Sequence, residues 1–423
     1  MSPTDTGPAD TGPADTGPAD TGPPARPPLA GVRILDLTQV MAGPWCTQLL
    51  ADLGADVVKI EAPAGGDQSR QSFGTGAGDN PAFRAVNRNK RSLAVDLKTV
   101  AGQQVLHRMA EDADVLVENF RPGVAERLGA DAATLHRVNA ALVVTSLSGF
   151  GTAGDQASEL AGRPGFDLIA QAMTGLMSVT GSPGGDLAKI GVPITDLAAG
   201  MFAAIGILAA LRNRDATGRG EHVRTSLYQA GLALLVWESA AYWSTGAEPA
   251  PTGSGHRLLA PYQALRTRDS ALVVAANNDK LWRLLLSTLD LPGLAADPRF
   301  ATNADRMRNT AQLAHTLEAR LITGDTDFWV DRLVAAGVPA APVRTVGQAL
   351  ADPHTLALQM VGQVEHPVVG RHPVLGLPIQ VGAGTEWPGL PAPALGEHSR
   401  EVLRDFGFRA AEIDLLTDDG VVR

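Results

Sequence analysis

Cysteine is nearly absent from this sequence: Cys46 is the single cysteine among 423 residues. One cysteine excludes an intramolecular disulfide and a cysteine-rich zinc site, and it favours a reducing compartment. We therefore predict a cytoplasmic protein without a metal ion. Cys46 shares the apolar face of a predicted helix with Leu49 and Leu50, which favours a packed thiol over a nucleophile.

An excess of positive charge is also lacking, since 45 Asp and Glu outweigh 35 Lys and Arg to give a net charge of -10. This balance provides no attraction for nucleic acid or for an anionic membrane surface. The longest apolar run, Leu197–Leu211, has 15 residues, whereas a membrane-spanning helix needs roughly 20. We predict neither nucleic acid nor a membrane as a partner.

The start of the chain lacks large apolar side chains between Met1 and Leu29, and it repeats DTGPA from Asp5, Asp10 and Asp15. Nothing in this segment offsets the entropy of ordering it, so we predict a disordered acidic tail over residues 1–28. The segment has no basic start and no apolar middle, unlike a signal peptide. A docking or solubility role for the tail stays open.

Several phosphate-binding and catalytic motifs are missing. No GxGxxG follows the first predicted strand, and GxxxxGK[ST], GxSxG and HExxH do not occur in the sequence. A nicotinamide enzyme, a P-loop enzyme, a serine hydrolase and a zinc protease are therefore disfavoured. The first strand is followed by TQVMAGP, where Ala42 and Gly43 allow either a close approach of a ligand to the backbone or an ordinary tight turn.

What is present is the pattern of an α/β protein. Val32–Thr38, Ala42–Ala55 and Asp56–Glu61 are predicted as strand, helix and strand, a βαβ unit that implies a parallel sheet. Further strands and helices are predicted to alternate at Ser92–Lys98, Ala101–Ala110, Ala113–Phe120, Val124–Val138 and Ala141–Phe150. We therefore predict a doubly wound, Rossmann-like parallel sheet.

The pattern changes in the second half of the chain. Residues 248–255 are rich in Pro, Gly and Thr, and two strands within Tyr262–Asp279 are followed by Leu-rich helices. We predict a large domain over residues 29–224, a smaller α+β domain over residues 225–350, and a return segment over residues 351–423 that completes the large domain.

Two carboxylates stand at predicted helix starts. Asp196 follows IGVPIT and begins the long apolar helix, with Thr195 as its predicted N-cap. The backbone N–H groups and the helix dipole favour an ionised carboxylate there. Such a group either attacks an activated acyl carbon or serves only as a helix cap. Asp167, within Arg163–Gly175, offers the same alternatives.

The basic residues Arg88, Lys90 and Arg91 precede a predicted strand. Such a cluster is usually a solvated face, but near strand ends it can meet ligand phosphates, and the sequence leaves both alternatives open. The histidines are scattered, and a structural role is favoured for His366 and His372, which stand among prolines.

Five segments resemble one protein family. In chain order they are LAGVRILDLTQVMAGPWCTQLLADLGADVVKIEAPAGGDQSR, NRNKRSLAVDLKT, ADVLVENFRPGVAERLG, GVPITDLAAGMFAAIGILAAL and LGEHSREVL. Together they are similar to the class III CoA-transferases, the CaiB/BaiF family, from Leu29 to Phe408. The resemblance implies a two-domain α/β subunit in an interlocked homodimer. It also implies an acyl-CoA and a small carboxylic acid as substrates, with CoA entering as a thioester substrate and no permanently bound cofactor.

The resemblance implies site residues as well. Asp196 matches the family's catalytic aspartate, which forms an acyl anhydride and then an aspartyl-CoA thioester, and Asp167 and Met41 are supporting candidates. The implied CoA-binding positions are Met41, Ala42, Val95, Asp96, Leu97, Lys98, Asn119, Phe120, Arg121 and Arg127. Gly253, Ser254 and Gly255 match a glycine-rich loop that covers the reaction intermediate in some members.

Two positions depart from relatives on the same fold. Phe166 stands where the related α-methylacyl-CoA racemases carry a histidine as acid or base, and phenylalanine cannot transfer a proton. Met41 stands where some transferases have glutamine. A racemase or epimerase is therefore the alternative rather than the leading hypothesis, and a non-catalytic CoA-binding protein is a third.

The segments around the two aspartates look most like the branch that moves CoA from succinyl-CoA to dicarboxylic acids. A second substrate carboxylate needs a cation in the site, and Arg70, Arg88 and Arg163 are the candidates.

Overall fold

A six-stranded parallel sheet lies at the centre of the first half of the chain. The computed structural model describes residues 26–71, 80–151, 158–381 and 389–423, so residues 1–25 of the predicted tail lie outside it. The strands are β1 (Arg33–Asp36), β2 (Asp56–Glu61), β3 (Lys90–Ala94), β4 (Val115–Glu118), β5 (Val143–Ser148) and β6 (His222–Ser226). All neighbouring strands are parallel, as predicted.

The strand order is β3-β2-β1-β4-β5-β6, so the order reverses between β1 and β4. The carboxyl ends of all six strands meet at one edge of the sheet. In open parallel sheets, ligands bind outside this edge and close to the reversal. The segments that follow β1, β3 and β4 are therefore placed where a ligand would lie.

Helices cover both faces of this sheet. They are α1 (Ala42–Asp52), α2 (Pro81–Ala85), α3 (Val100–Glu111), α4 (Val124–Arg127), α5 (Ala132–Val138), α6 (Asp167–Met173), α7 (Leu176–Val179), α8 (Ile194–Thr217), α9 (Leu227–Ala233) and α10 (Val236–Thr245). One core joins the sheet to α1, α8 and α9, and another joins it to α3 and α5. The prediction of a single helix over Val124–Val138 is wrong, because Gly129 adopts φ = +64° and turns the chain between α4 and α5.

Helix α8 is the one helix in the described ranges that is long and apolar enough to cross a membrane. Half of its most apolar window is buried inside the protein. Its small residues permit close packing: a Cβ built on Gly206 would lie 2.6 Å from Val223 Cγ1. The helix therefore packs as a core helix against the sheet.

A separate core lies in the second half of the chain. It is built on an antiparallel sheet and helices: β7 (Tyr262–Arg266), β8 (Ala271–Ala275), β9 (Ala340–Pro342), α11 (Asp279–Thr288), α12 (Asn303–Arg308), α13 (Thr310–Leu321) and α14 (Thr326–Ala335). The two strands predicted within Tyr262–Asp279 are present as β7 and β8.

The last part of the chain returns to the parallel sheet. Its elements are α15 (Val346–Leu350), α16 (Pro353–Ala357), the hairpin of β10 (Val361–His366) and β11 (Gly370–Leu375), α17 (Ser399–Asp405) and α18 (Ala410–Asp418). Helices α17 and α18 join the core that contains α3 and α5. Val422 forms a β-bridge with Val95, just beyond β3. The sequence did not predict α18, and the domain boundaries stay a prediction.

Candidate active site

Asp196 lies in the first turn of α8, and the start of that helix is capped from a distance. The prediction of Thr195 as N-cap is wrong, because α8 begins at Ile194 and Thr195 is already inside it. The capping group is Asp167, 28 residues earlier, whose Oδ1 accepts hydrogen bonds from Thr195 N (2.9 Å) and Thr195 Oγ1 (2.8 Å). A carboxylate suits this place because the free N–H groups of a helix start carry partial positive charge.

Asp167 is also bound by Gln171, and the chain just before it packs closely against the end of β5. Gly149 and Gly165 pass so close together that a Cβ built on Gly165 would lie 2.1 Å from Gly149 Cα. Gln171 Nε2 donates to Asp167 Oδ2 (2.7 Å), while Gln171 Oε1 accepts from Ile190 N (2.8 Å). The start of α6 and the segment that leads into α8 are therefore joined around Asp167.

The first turns of α8 pack against the start of α1. Gly200 lies one turn after Asp196 on the same side of α8, and a Cβ built on Gly200 would lie 2.6 Å from Ala42 O. The start of α8, which carries Asp196, therefore packs against the start of α1, where Ala42 follows Met41. Asp167 thus lies at the start of α8, and the start of α8 lies against Ala42 at the start of α1.

The Asp196 side chain is half-buried. Its burial, together with the charge of Asp167, raises its pKa to about 7. The sequence predicts that the helix start favours the ionised form, but the N–H group of Thr195 is already bound by Asp167. Burial and the charge of Asp167 therefore oppose the ionisation of Asp196 more strongly than the helix start favours it.

The turn after β1 is tied to the loop after β4. Asn119 Nδ2 donates to Gln39 O (2.8 Å), and Gln39 N donates to Asn119 Oδ1 (2.9 Å). This pair of hydrogen bonds bridges the two strands at which the strand order reverses. Asn119 therefore lies at the same sheet edge as Met41.

A second bridge joins the segments after β3 and β4. Gln103 Nε2 donates to Leu97 O (3.1 Å) and to Arg127 O (3.0 Å). The charged side chains of Lys98 and Arg127 are exposed, whereas Val95 and Leu97 are buried in the core. A ligand at this edge can meet the two cations directly, but it can reach Val95 and Leu97 only through their backbone.

The remaining predicted CoA positions lie in the same segments. Asp96 Oδ1 accepts a hydrogen bond from Lys98 N (3.0 Å), and Phe120 N donates to Glu118 Oε2 (2.8 Å). Arg121 is exposed. All these positions therefore lie after β1, β3 or β4, at the carboxyl edge of the sheet.

The basic cluster runs into β3, which begins at Lys90. Both alternatives predicted for it are wrong, because the cluster is neither a solvated face nor free to meet phosphates. Lys90 is buried, and its Nζ lies 2.9 Å from Asp36 Oδ2. Arg88 is buried in an ion pair with Asp52, and Arg91 is bound by three carboxylates. A cation inside a sheet that is covered on both faces needs such a partner.

Two of the three cations predicted for a second substrate carboxylate, Arg70 and Arg88, are already bound to carboxylates of the protein. Arg70 binds Glu61 through two hydrogen bonds, Nε to Oε1 (2.7 Å) and Nη2 to Oε2 (2.8 Å). Arg88 is occupied by Asp52, and Arg163 is exposed.

A buried ion pair between Lys59 on β2 and Asp67 was missed by the sequence analysis. Lys59 Nζ lies 2.9 Å from Asp67 Oδ2, and both side chains have no exposed surface. Burial alone would raise the pKa of Asp36 nearby, but the charges of Lys59 and Lys90 hold it below its usual range. The available signal was Lys59 itself, a charged residue within the apolar strand DVVKIE.

The sequence model described as CoA-transferase family III matches residues 29–399. This chain belongs to CoA-transferase family III. The succinyl-CoA:glutarate CoA-transferase of Mus musculus is 35% identical over 398 residues, covering 93% of this chain and 90% of the relative. The acetyl-CoA:oxalate CoA-transferase of Acetobacter aceti is 37% identical over 399 residues, covering 92% and 99%. A solved CaiB/BaiF family protein from Brucella suis superposes with a TM-score of 0.82 at 34% identity, covering 90% and 100%. The predicted family is confirmed, and the chain is a CoA-transferase.

The predicted covering loop of this CoA-transferase contacts other parts of the chain. Gly253 N donates to Gly181 O (2.8 Å), and Ser254 Oγ accepts from Ala264 N (3.2 Å). Gly255 N donates to Thr252 O (3.0 Å) within the loop itself. None of these bonds joins the loop to Asp196, so its role over the site stays a prediction.

Cys46 of this family III member is fully buried. Its burial raises the pKa of the thiol far above the ordinary value, so the thiolate is not formed near neutral pH. The packed thiol that the sequence predicts is therefore present, and Cys46 is unsuited to nucleophilic attack.

Enzyme acylation is expected to depend on pH through Asp196. A nucleophilic carboxylate must be ionised, so below pH 7 the rate should fall about tenfold per unit and above pH 7 it should level off. Asp167→Asn removes the neighbouring charge, lowers the pKa of Asp196 and moves this limb to lower pH. Single-turnover acylation rates measured between pH 5 and 9 define this fall in rate. The control is Asp186→Asn, a substitution of an exposed aspartate. An unshifted limb in Asp167→Asn contradicts the assignment.

Proposed function

We propose that this CoA-transferase moves CoA from succinyl-CoA to a dicarboxylic acid through covalent intermediates on Asp196. The carrying observation is the state of the Asp196 carboxylate in the first turn of α8. It is half-buried, and no residue in the described ranges donates a hydrogen bond to it. Its oxygen lone pairs are therefore available for attack, and desolvation makes the ionised form more nucleophilic.

The proposed reaction conserves the thioester bond. An Asp196 oxygen attacks the donor's acyl carbon, the C–S bond breaks, and CoA thiolate leaves a mixed anhydride. The thiolate then attacks the Asp196 carbonyl carbon, so the donor acid departs and an aspartyl-CoA thioester forms. The acceptor carboxylate attacks that carbon and releases thiolate again, and the thiolate takes the acceptor's acyl group and frees Asp196.

The names of the relatives support a dicarboxylate acceptor, because glutarate and oxalate each carry two carboxylates. Asp167 is the charged group that shifts the pKa of Asp196, and no Lys or Arg of the described ranges contributes. The segments outside those ranges contain no Lys or Arg at all. No cation of the described residues therefore acts directly on Asp196, and for the acceptor's second carboxylate we propose the exposed Arg163, Lys189 in the segment before α8, or a second copy of the chain.

A substrate panel tests the proposal. Succinyl-CoA and acetyl-CoA are each incubated with mono- and dicarboxylic acids of matched length, and the new thioesters are measured by mass spectrometry. We expect succinyl-CoA with a dicarboxylic acid to give kcat/KM at least about tenfold above any monocarboxylic acid. Equal rates with monocarboxylic acids contradict the substrate class, and the absence of any thioester exchange contradicts the transferase reaction.

The same panel separates a racemase from a transferase. Phe166 is 62% exposed and carries no acid or base. In heavy water we expect no deuterium at the α-carbon of a 2-methylacyl-CoA, whereas incorporation without exchange of CoA between acids favours the racemase.

We propose further that a second copy of the chain covers the apolar surface around α6, α8 and α10. Helices α6 and α8 pack against each other and both pack against α9. These three helices expose Leu168, Met173, Met201, Phe202, Ile205 and Leu232, and α10, which directly follows α9 in the chain, exposes Trp237 and Trp243. A soluble chain rarely leaves so many large apolar groups uncovered in one region. A homodimer interface of the interlocked kind buries such a surface.

Ile205→Glu is expected to weaken the dimer, because Ile205 is 61% exposed on α8 and a charge there opposes burial. Val100→Glu is the matched control, since Val100 is 74% exposed at the start of α3 on the other face of the sheet. Light scattering after size exclusion should show a dimer for the wild type and the control, and a shift to monomer for Ile205→Glu. A monomeric wild type contradicts the proposal.

A further inference from the structure

The residue before Met41 has an unfavourable backbone conformation. Val40 adopts φ = +71°, a left-handed conformation that β-branched residues rarely adopt. Asp67 Oδ1 accepts a hydrogen bond from Val40 N at 3.1 Å. A conformation of this kind persists only where surrounding contacts enforce it, and such places concentrate at functional sites.

Lys59 holds the other end of the same turn. Its buried Nζ donates to Thr38 O (2.8 Å) and pairs with Asp67 Oδ2 (2.9 Å). The Lys59 ammonium group therefore contacts Thr38 directly and is linked to Val40 through Asp67. The ion pair of Lys59 and Asp67 therefore contacts both ends of the turn Thr38–Val40.

Helix α1 rests on this turn. A Cβ built on Gly43 would lie 2.3 Å from Thr38 Cβ, so the helix start packs tightly against Thr38. Met41 O accepts the first hydrogen bond of the helix from Trp45 N (2.8 Å). A displacement of Thr38–Val40 would therefore move Met41 and Ala42 with respect to Asp196.

We propose that Lys59 and Asp67 are positioning residues, which hold the turn Thr38–Val40 in its left-handed form and thereby place Met41 and Ala42 against the Asp196 carboxylate. The inference rests on the proposed function, because it assigns the pair to the Asp196 site. Neither side chain has exposed surface, so neither reaches a substrate. A buried pair of this kind is seldom more stable than apolar residues of similar size, which favours a role in conformation over one in stability.

The test removes both partners together, so that no charge is left buried alone. In Lys59→Met/Asp67→Ala we expect kcat to fall at least about tenfold, because small displacements of reacting groups are costly. The KM for acyl-CoA should change less than about threefold, since most of the CoA-binding edge is untouched. The matched control is Arg88→Met/Asp52→Ala, which removes a buried ion pair at the opposite edge of the sheet and should keep its kcat whatever its change in stability.

A glycine at position 40 distinguishes a loss of kcat caused by displacement of the turn from one caused by general damage to the fold. Glycine adopts φ = +71° without strain, whereas alanine does not. Adding Val40→Gly to the double variant is therefore expected to restore much of kcat, and adding Val40→Ala is not. If the double variant does not fold, Lys59→Met/Asp67→Asn carries the same comparison, because it also leaves no buried charge and its amide oxygen still accepts hydrogen bonds from Val40 and Ser69.

Two outcomes overturn the proposal: a folded double variant with wild-type kcat, or a loss of kcat that Val40→Gly and Val40→Ala restore equally. Either outcome leaves the proposed function standing as long as the wild-type enzyme exchanges CoA between acids. A wild type without CoA exchange removes the proposed function itself.

Discussion

Asp196→Asn is expected to lower the rate of CoA exchange by about 10³-fold or more, because the amide cannot form the covalent intermediates. The substitution keeps the size and shape of the side chain. Stability should not suffer: the folded-state pKa of Asp196 is raised to about 7, so ionisation opposes folding at higher pH. At pH 8 we therefore expect an unchanged or higher Tm together with the loss of activity.

The matched control is Asp215→Asn, near the other end of α8, where Asp215 pairs with Arg214 on the surface. This variant should keep the wild-type exchange rate. Steady-state assays with purified proteins, together with thermal melts, provide both readouts. A retained exchange rate in Asp196→Asn contradicts the assignment of the nucleophile.

Asp36→Asn is expected to have the largest effect on stability. Asp36 is fully buried and binds Lys90 Nζ at 2.9 Å and Thr47 Oγ1 at 2.7 Å. Neutralising it leaves buried ammonium charge without compensation, which costs about 3–5 kcal/mol. For a chain of 423 residues that corresponds to a fall in Tm of roughly 3–6 °C.

The sign of the pH dependence follows from the lowered pKa of Asp36. A carboxyl group with a folded pKa below its unfolded value stabilises the fold above about pH 4, and this contribution is lost as pH falls toward the folded pKa. The wild type and Asp36→Asn should therefore differ most near neutral pH. Asp405→Asn, which breaks one exposed contact of Arg91, should lower Tm by less than about 2 °C. An equal fall in Tm in Asp36→Asn and Asp405→Asn contradicts this role of Asp36.

The parallel sheet was predictable because its strands are short apolar runs buried on both faces. Strand β2 has the predicted bounds Asp56–Glu61, and α1 begins at the predicted Ala42. The break between α4 and α5 was not predictable from apolar spacing, since it depends on the backbone conformation of Gly129. Helix α18 at the end of the chain was missed.

The start of α8 shows what local sequence could not provide. Asp196 was correctly placed at the beginning of the helix, but Thr195 was predicted to cap it because N-caps are usually local. The actual cap comes from Asp167 on another helix. Arg88 and Lys90 likewise look like part of a basic surface cluster in the sequence. Their buried partners, Asp52 and Asp36, are distant in the sequence and are brought to them only by the fold.

Covalent trapping tests the central claim most directly. The enzyme is incubated with succinyl-CoA without an acceptor acid, treated with hydroxylamine, digested and analysed by mass spectrometry. We predict an aspartyl hydroxamate at Asp196 that requires succinyl-CoA and is absent from Asp196→Asn. Thioester exchange with an unmodified Asp196, or a hydroxamate formed at another carboxylate, would contradict the account.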